Sequence, residues 1–423
     1  MEEERLAYRW PMAIWTMLVG LLVGGMCVGF LPPLFDEITQ ELGLTHTQIG
    51  VIWGAAALGT LLTALGGGLL ADRYGPKWVM AIGLLLSVAS CALRAVWVSF
   101  WGLTVLMLLL GLALGLIFPN MSKVVGMWFG QKELGMALGV VLLGGSLGSV
   151  IALMVGVPLS NALGGWRGVM WLTGGIALAT FLMWVVLAKT PPPRQARREA
   201  SEQPSTLEGL KRVIRLKDLW LVCLMEFCVM GALMGFMGHF PQNTVERVGM
   251  SAGTAGILTG VGAMTVIVTN IVGPRFSDRL GLRRPFLWPF MVVGLFATTF
   301  LGLATGPALY LLVIVLGASA GVVLPLFRAV IIENPRIGPL LAGSAFGFLY
   351  MVNRIGATLA PIIMGWIQDA TSAYWPAYLF LAVLCGAAAL LGYLVKETGT
   401  RAKKPADAGE SAGAVDAGQS EPA

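Results

Sequence analysis

Charge is scarce in this chain. Asp, Glu, Lys and Arg make up 12% of its 423 residues, against 57% hydrophobic ones. That balance excludes the well-solvated surface of a soluble enzyme. Histidines are scarcer still: His46 and His239 stand far apart and make no metal site. The five cysteines (Cys27, Cys91, Cys223, Cys228 and Cys385) sit in apolar stretches, with the spacing of neither disulfides nor metal ligands. They read as small apolar packing residues. No nucleophile–base pair, metal-ligand cluster or nucleotide-cradling loop is visible, so the chain is not read as an enzyme and neither metal nor cofactor is expected.

What the sequence has in excess is apolar length and glycine. Apolar runs of about 20 residues, enough to cross a bilayer, recur along the chain. Twelve spans are read, at 12–32, 47–71, 78–97, 101–127, 134–160, 169–189, 219–240, 253–276, 285–304, 307–331, 341–368 and 376–395. The 56 glycines carry an internal echo. Laying residues 25–77 over 231–283 without a gap pairs Gly25 with Gly231, Gly29 with Gly235, Gly50 with Gly256, Gly54 with Gly260, Asp72 with Asp278 and Arg73 with Arg279. Further on Pro119 meets Pro325 and, after a two-residue slip, Gly148 meets Gly356. Glycines mark close backbone approach, so the halves are expected to share a packing scheme. The expected fold is all-α and integral to the membrane: twelve transmembrane helices in two six-helix bundles related by a parallel repeat. A chain built that way usually carries something between its halves.

The net charge of +6 invites a nucleic-acid reading, which its distribution excludes. With both termini inside, the outer loops hold only Arg167 and Arg247. Arg94, Lys123, Arg275, Arg328 and Arg354 fall inside spans, and every other Lys and Arg lies in an inner loop or tail. That asymmetry is the positive-inside rule, so the basic balance reports topology. Four regions follow: an N-terminal bundle (1–189), a cytoplasmic linker (190–218), a C-terminal bundle (219–399) and a disordered cytoplasmic tail (400–423). Pro191, Pro192 and Pro193 open the linker and cannot continue a helix. Ser205 and Glu208 have capping-box spacing, ahead of a run with Leu207, Leu210, Val213 and Ile214 on one side. The run reads either as a short helix on the inner membrane surface or as solvated linker.

The loop Gly68-Leu69-Leu70-Ala71-Asp72-Arg73-Tyr74-Gly75-Pro76-Lys77 joins spans 2 and 3, and Gly273 to Arg284, with Asp278 and Arg279, repeats it between spans 8 and 9. Both resemble the signature loop of the major facilitator superfamily, and the resemblance covers the chain from span 1 to span 12. It implies two bundles rocking about a central cavity lined by spans 1, 4, 7 and 10, with Asp72, Arg73, Asp278 and Arg279 in a gating role. The segments from Trp128 to Ala137 and Gly164-Gly165-Trp166-Arg167 are similar to loops of anion-carrying branches: nitrate porters, oxalate–formate exchangers and organic anion symporters. The paired arginines of nitrate porters are missing, however. The span 8 candidate is Asn270, and only the span 11 base of the oxalate exchangers has a counterpart, Arg354.

A charge deep in a bilayer needs a partner, a wet cavity or a route to the surface. Arg354 sits near the middle of span 11, with Tyr350 one turn earlier on the same face, while its first-half counterpart is Ser146. It is the first candidate for binding substrate. Arg328 in span 10 and Lys123 in span 4 either join it or snorkel to the inner surface. Glu226 in span 7 reads as a proton-coupling acid, with a fixed salt bridge to Arg328 or Arg354 as the alternative. Trp53, Asn120 and Asn270 complete the candidate substrate site. Arg94 and His239 are expected at the membrane interface.

These residues give an excess of positive charge to the cavity, so the expected substrate is a small organic anion, a carboxylate, moved by secondary active transport. A proton or a counter-anion is the coupling species. A monomer in the plasma (inner) membrane is expected, with no nucleic-acid partner. The alternatives are efflux of hydrophobic drugs, favoured by the 21 methionines, and a transporter-like membrane sensor.

Overall fold

A computed structural model describes residues 2–190, 206–334 and 336–399. Every span is a helix, and among the described residues there is no strand. Spans 2 to 6 run His46–Tyr74, Pro76–Leu93, Phe100–Trp128, Gln131–Ala162 and Trp166–Leu187. Spans 7 to 12 run Lys217–Val248, Ala252–Leu280, Arg284–Leu301, Gly306–Glu333, Gly338–Thr371 and Trp375–Leu394. Span 1 begins as Glu2–Val19 and widens into a π-helical stretch, Gly20–Met26, where Gly20 and Gly25 lie against span 5 and Gly24 against Phe118 of span 4. Helices are what the medium demands, because lipid offers nothing to an unpaired backbone amide.

Local chemistry sets the helix ends. Thr45 and Gln48 form a reciprocal capping box that starts span 2. Ser99 and Ser251 cap spans 4 and 8 through Gly102 N and Thr254 N. Gly249 (φ +70°) ends span 7, in the left-handed region that glycine enters without strain.

Two expected outer loops, 33–46 and 241–252, are largely helical. Phe35–Leu42 is a helix, and span 7 continues to Val248. Hydropathy reports where apolar sequence stops, whereas the helix continues on local bonds such as Gln242 Nε2 to Glu246 Oε1 (2.7 Å). The same extension moves His239 from the expected interface into the interior, fully buried, with Nε2 2.9 Å from the Pro361 carbonyl.

Arg94 is likewise no interface anchor. It is fully buried, with Nη2 on the Cys27 carbonyl (3.2 Å) and on Cys91 Sγ (2.9 Å). The short helix Thr206–Val213 packs through Leu210 and Val213 on the second bundle. Pro191 to Pro193, Ser205 and the tail from 400 lie outside the described residues, as does the Glu208 side chain.

The chain is a multi-pass membrane protein of two bundles, and large apolar side chains such as Leu69, Ile82, Val186, Leu311 and Val383 stand exposed around it for lipid. The face carrying both signature loops is called inner from here on, following the Lys and Arg partition. On the outer side the bundles meet closely, span 2 on span 11 and span 5 on span 8. A Cβ on Gly54 would come within 2.6 Å of the Thr358 carbonyl, and one on Gly256 within 2.6 Å of the Leu153 carbonyl. At the inner ends Gly135, Gly139 and Gly343 face open space. Among the described residues the hydrogen bonds between the bundles, from His46 and Thr47 to Asp369 and from Trp53 to Met234, lie in the outer half, so the cavity opens inwards.

Candidate functional site

Arg354 lies mid-way along span 11 and half-buried, its guanidinium carbon 4.6 Å from the centre of the Tyr350 ring. The stack holds the planar group in place while leaving its edges free. Its Nε donates to Asn353 Oδ1 (3.2 Å), and Asn353 Nδ2 donates to Glu226 Oε1 on span 7 (2.9 Å). One amide thus joins the base to the acid. Asn353 is 4% exposed and Glu226 7%, so the amide and the acid are shielded from solvent, while the Arg354 end is half-buried. The two terminal nitrogens of Arg354 donate to no described residue, and Glu226 Oε2 is buried without a partner. Among the described residues Glu226 makes no direct ion pair. Arg328, exposed on span 10, and Arg354 both lie within its electrostatic reach.

The remaining candidates take other places. Lys123 Nζ bonds Asp72 Oδ1 (2.7 Å) and the Gly68 carbonyl (2.6 Å), which draws it to the inner loop and away from Arg354. Both partners lie in the last two turns of the span 2 helix, a packing that depth along span 4 alone could not reveal. Asn120 is fully buried, with Nδ2 on the carbonyls of Gly67 (3.1 Å) and Leu116 (2.7 Å), so it ties span 4 to span 2. Trp53 donates from Nε1 to the Met234 carbonyl (3.1 Å) and, with Phe35 edge-on at 6.4 Å, fills the closed outer side. Asn270 has a buried Oδ1 without a partner on span 8. Arg73 lies over the Tyr74 ring at 5.3 Å, and Arg279 is in the last turn of span 8.

Asp278 pairs with Arg283 (2.5 Å), which also bonds Glu333 Oε1 (2.6 Å). Those bonds, Glu333's first, push the Arg283 pKa further up, so it stays charged at any working pH. The first turn of span 9 is capped by Glu397, which accepts from Arg283 N (2.7 Å) and Arg284 N (3.0 Å), and Asp278 has no part in it. On the outer side Asp369, at the end of span 11, accepts from His46 N (3.0 Å) and Thr47 N (2.8 Å) at the start of span 2. Neither cap has a local signal, because the partners are 323 and 114 residues apart along the chain. Among the described residues no group of three or more His, Cys, Asp or Glu side chains could hold a metal ion.

A sequence model described as Major Facilitator Superfamily matches residues 17–338. A protein named "Probable sulfoacetate transporter" from Cupriavidus necator is 24% identical, over 89% of this chain and 93% of its own. A "Probable nitrate/nitrite antiporter" from Thermus thermophilus is 31% identical over 60% of this chain and 58% of its own. A "Multidrug resistance protein" from Enterobacter lignolyticus is 22% identical over 84% and 85%. Among solved structures, a bacterial homologue of the human lysosomal transporter Spinster, inward-facing and unoccupied, superposes with a TM-score of 0.81 at 16% identity, over 92% of this chain and 97% of that one.

Proposed function

The chain belongs to the Major Facilitator Superfamily, and from that premise we propose that it carries a small organic anion, a carboxylate, across the plasma (inner) membrane by alternating access. The observation that carries this reading is the free fork of Arg354. A guanidinium at mid-span is costly unless something negative meets it. This one is stacked on Tyr350 and steadied through Nε, and its terminal nitrogens have no carboxylate partner. Two parallel donors suit a carboxylate. Arg328, and Asn270 with its unpartnered oxygen, are further substrate contacts from spans 10 and 8. A relative named for sulfoacetate, itself an organic anion, agrees with the reading. A relative named for multidrug resistance favours the rival, efflux of hydrophobic compounds.

The thermal stability of the purified chain against a panel of ligands separates the two. Carboxylates are expected to raise the melting temperature, by mass action on the folded state, while sugars and cationic dyes leave it unchanged. Stabilisation by dyes alone would hand the site to the drug reading.

Both termini and the 190–218 segment are assigned to the cytoplasm on the Lys and Arg partition. Asp72, Arg73, Asp278 and Arg279 are the gating groups of the inner face. In this inward-opening state Asp72 bonds within its own bundle. Closure brings the opposite bundle's helix end to it, and Asp72→Asn weakens that closed state. Spin-label distances between the inner ends of the bundles should lengthen on average in Asp72→Asn. Unchanged distances with transport intact would reduce the motif to shaping a loop.

A further inference from the structure

Outward of the Arg354–Asn353–Glu226 bridge, at the closed end of the cavity, is a pocket of about 170 Å³ between the bundles. Ser146 and Ser149 of span 5 border it on one side, and Leu233, Met234, Met237 and Val266 are among the residues opposite. None of the lining residues is charged. Ser149 Oγ is spent on the Gly145 carbonyl (3.2 Å), so the surface a ligand meets is mostly apolar, with the Ser146 hydroxyl at its edge. Met234 also holds Trp53 through its carbonyl, which makes the pocket's outer wall part of the outer closure.

The pocket and the acid share one face of span 7. Glu226, Met230, Leu233 and Met237 follow each other at steps of four, three and four residues, the spacing of a helical stripe. Leu233 therefore stands roughly 10 Å beyond Glu226 along the helix axis at 1.5 Å per residue. Arg354 is level with Glu226, to which Asn353 ties it.

We infer that this pocket receives the apolar tail of the substrate, and that the substrate is a medium-chain monocarboxylate with its carboxylate on Arg354. The inference rests on the anion reading and adds the shape of the anion. A second carboxylate would have to be desolvated where no charged side chain could meet it, which disfavours a dicarboxylate reaching into the pocket. The volume falls short of the roughly 300–1,000 Å³ of a drug-sized site. Two methionines, flexible and polarisable, suit a chain better than a rigid ring.

Calorimetric titration of the purified full chain with acetate, butyrate, hexanoate and octanoate tests this, with octanol as the uncharged control. Acetate and butyrate stop short of Leu233 and should bind alike. From there to octanoate affinity should rise about fourfold per methylene, the worth of burying one CH₂. Octanol should not bind. Ser146→Leu should remove the gain, and the fold should accept it because the matching place in the second half holds the larger Arg354. A flat series in the unaltered chain, with carboxylates bound and lost in Arg354→Gln, would overturn the tail pocket and leave the anion reading standing. A rising series that Ser146→Leu leaves intact, with octanol bound as tightly, would reduce the gain to partitioning and overturn it too. Binding of no carboxylate at all would remove both.

Discussion

Arg354→Gln is expected to weaken carboxylate binding about a hundredfold while leaving a folded protein. The magnitude is that of two charge-assisted hydrogen bonds lost from one fork, about 3 kcal/mol in total after desolvation is counted. The fold should survive for two reasons. The equivalent place in the first bundle holds the uncharged Ser146, so the scaffold needs no cation there. The guanidinium also makes no direct ion pair with Glu226, so its loss strands no charged partner: Asn353 Oδ1 gives up one donor, and Asn353 Nδ2 keeps its bond to the acid. A buried ion pair would behave differently: removing one member of such a pair typically costs 3–5 kcal/mol and unfolds marginal proteins. Failure of Arg354→Gln to fold would therefore assign the residue to structure.

Glu226→Gln should abolish uphill uptake and spare exchange. The acid sits on span 7 with Oε1 held by Asn353 and Oε2 without a partner, so one oxygen is available to carry a proton. Gln copies the protonated shape and cannot release the proton. A carrier moving one proton with one monoanion can accumulate substrate about tenfold against a one-unit pH gradient, acid outside, since a unit of pH is worth about 1.4 kcal/mol. In proteoliposomes the unaltered chain should approach that ratio, and it should vanish as the gradient is dissipated. Glu226→Gln should remain near a ratio of about one while still trading labelled for unlabelled anion. Accumulation by Glu226→Gln against a gradient would remove proton coupling through this group and favour exchange of one anion for another.

The sequence makes much of the fold legible because the membrane is an exacting solvent. Apolar runs long enough to span it had to be helices, and the repeated glycines lay where helices touch: Gly54 on span 11, Gly256 on span 5. Helix ends were less legible. Span 7 runs on to Val248 through polar residues that bond one another, so composition stopped before the helix did.

At the site, the deep charges identified themselves, since Arg354 and Glu226 have no cheap reason to be in mid-span. What linked them was hidden. Only packing reveals that the two ends of the Asn353 amide face an acid and a base. Depth along span 4 left open whether Lys123 joins Arg354 or reaches the inner surface, and it could not reveal that the end of span 2 packs Asp72 against it. The caps by Asp369 and Glu397 were out of reach for the same reason, being contacts between distant segments.

The central claim is that the Arg354 fork holds the anion, and it is tested most directly by the affinity of one carboxylate for three chains: unaltered, Arg354→Lys and Arg354→Gln, each first checked for folding. A planar fork grips both oxygens and an ammonium meets them as a point charge, so the expected order is unaltered, then Lys with part of the affinity, then Gln with almost none. Equal affinities across three folded chains would contradict the account.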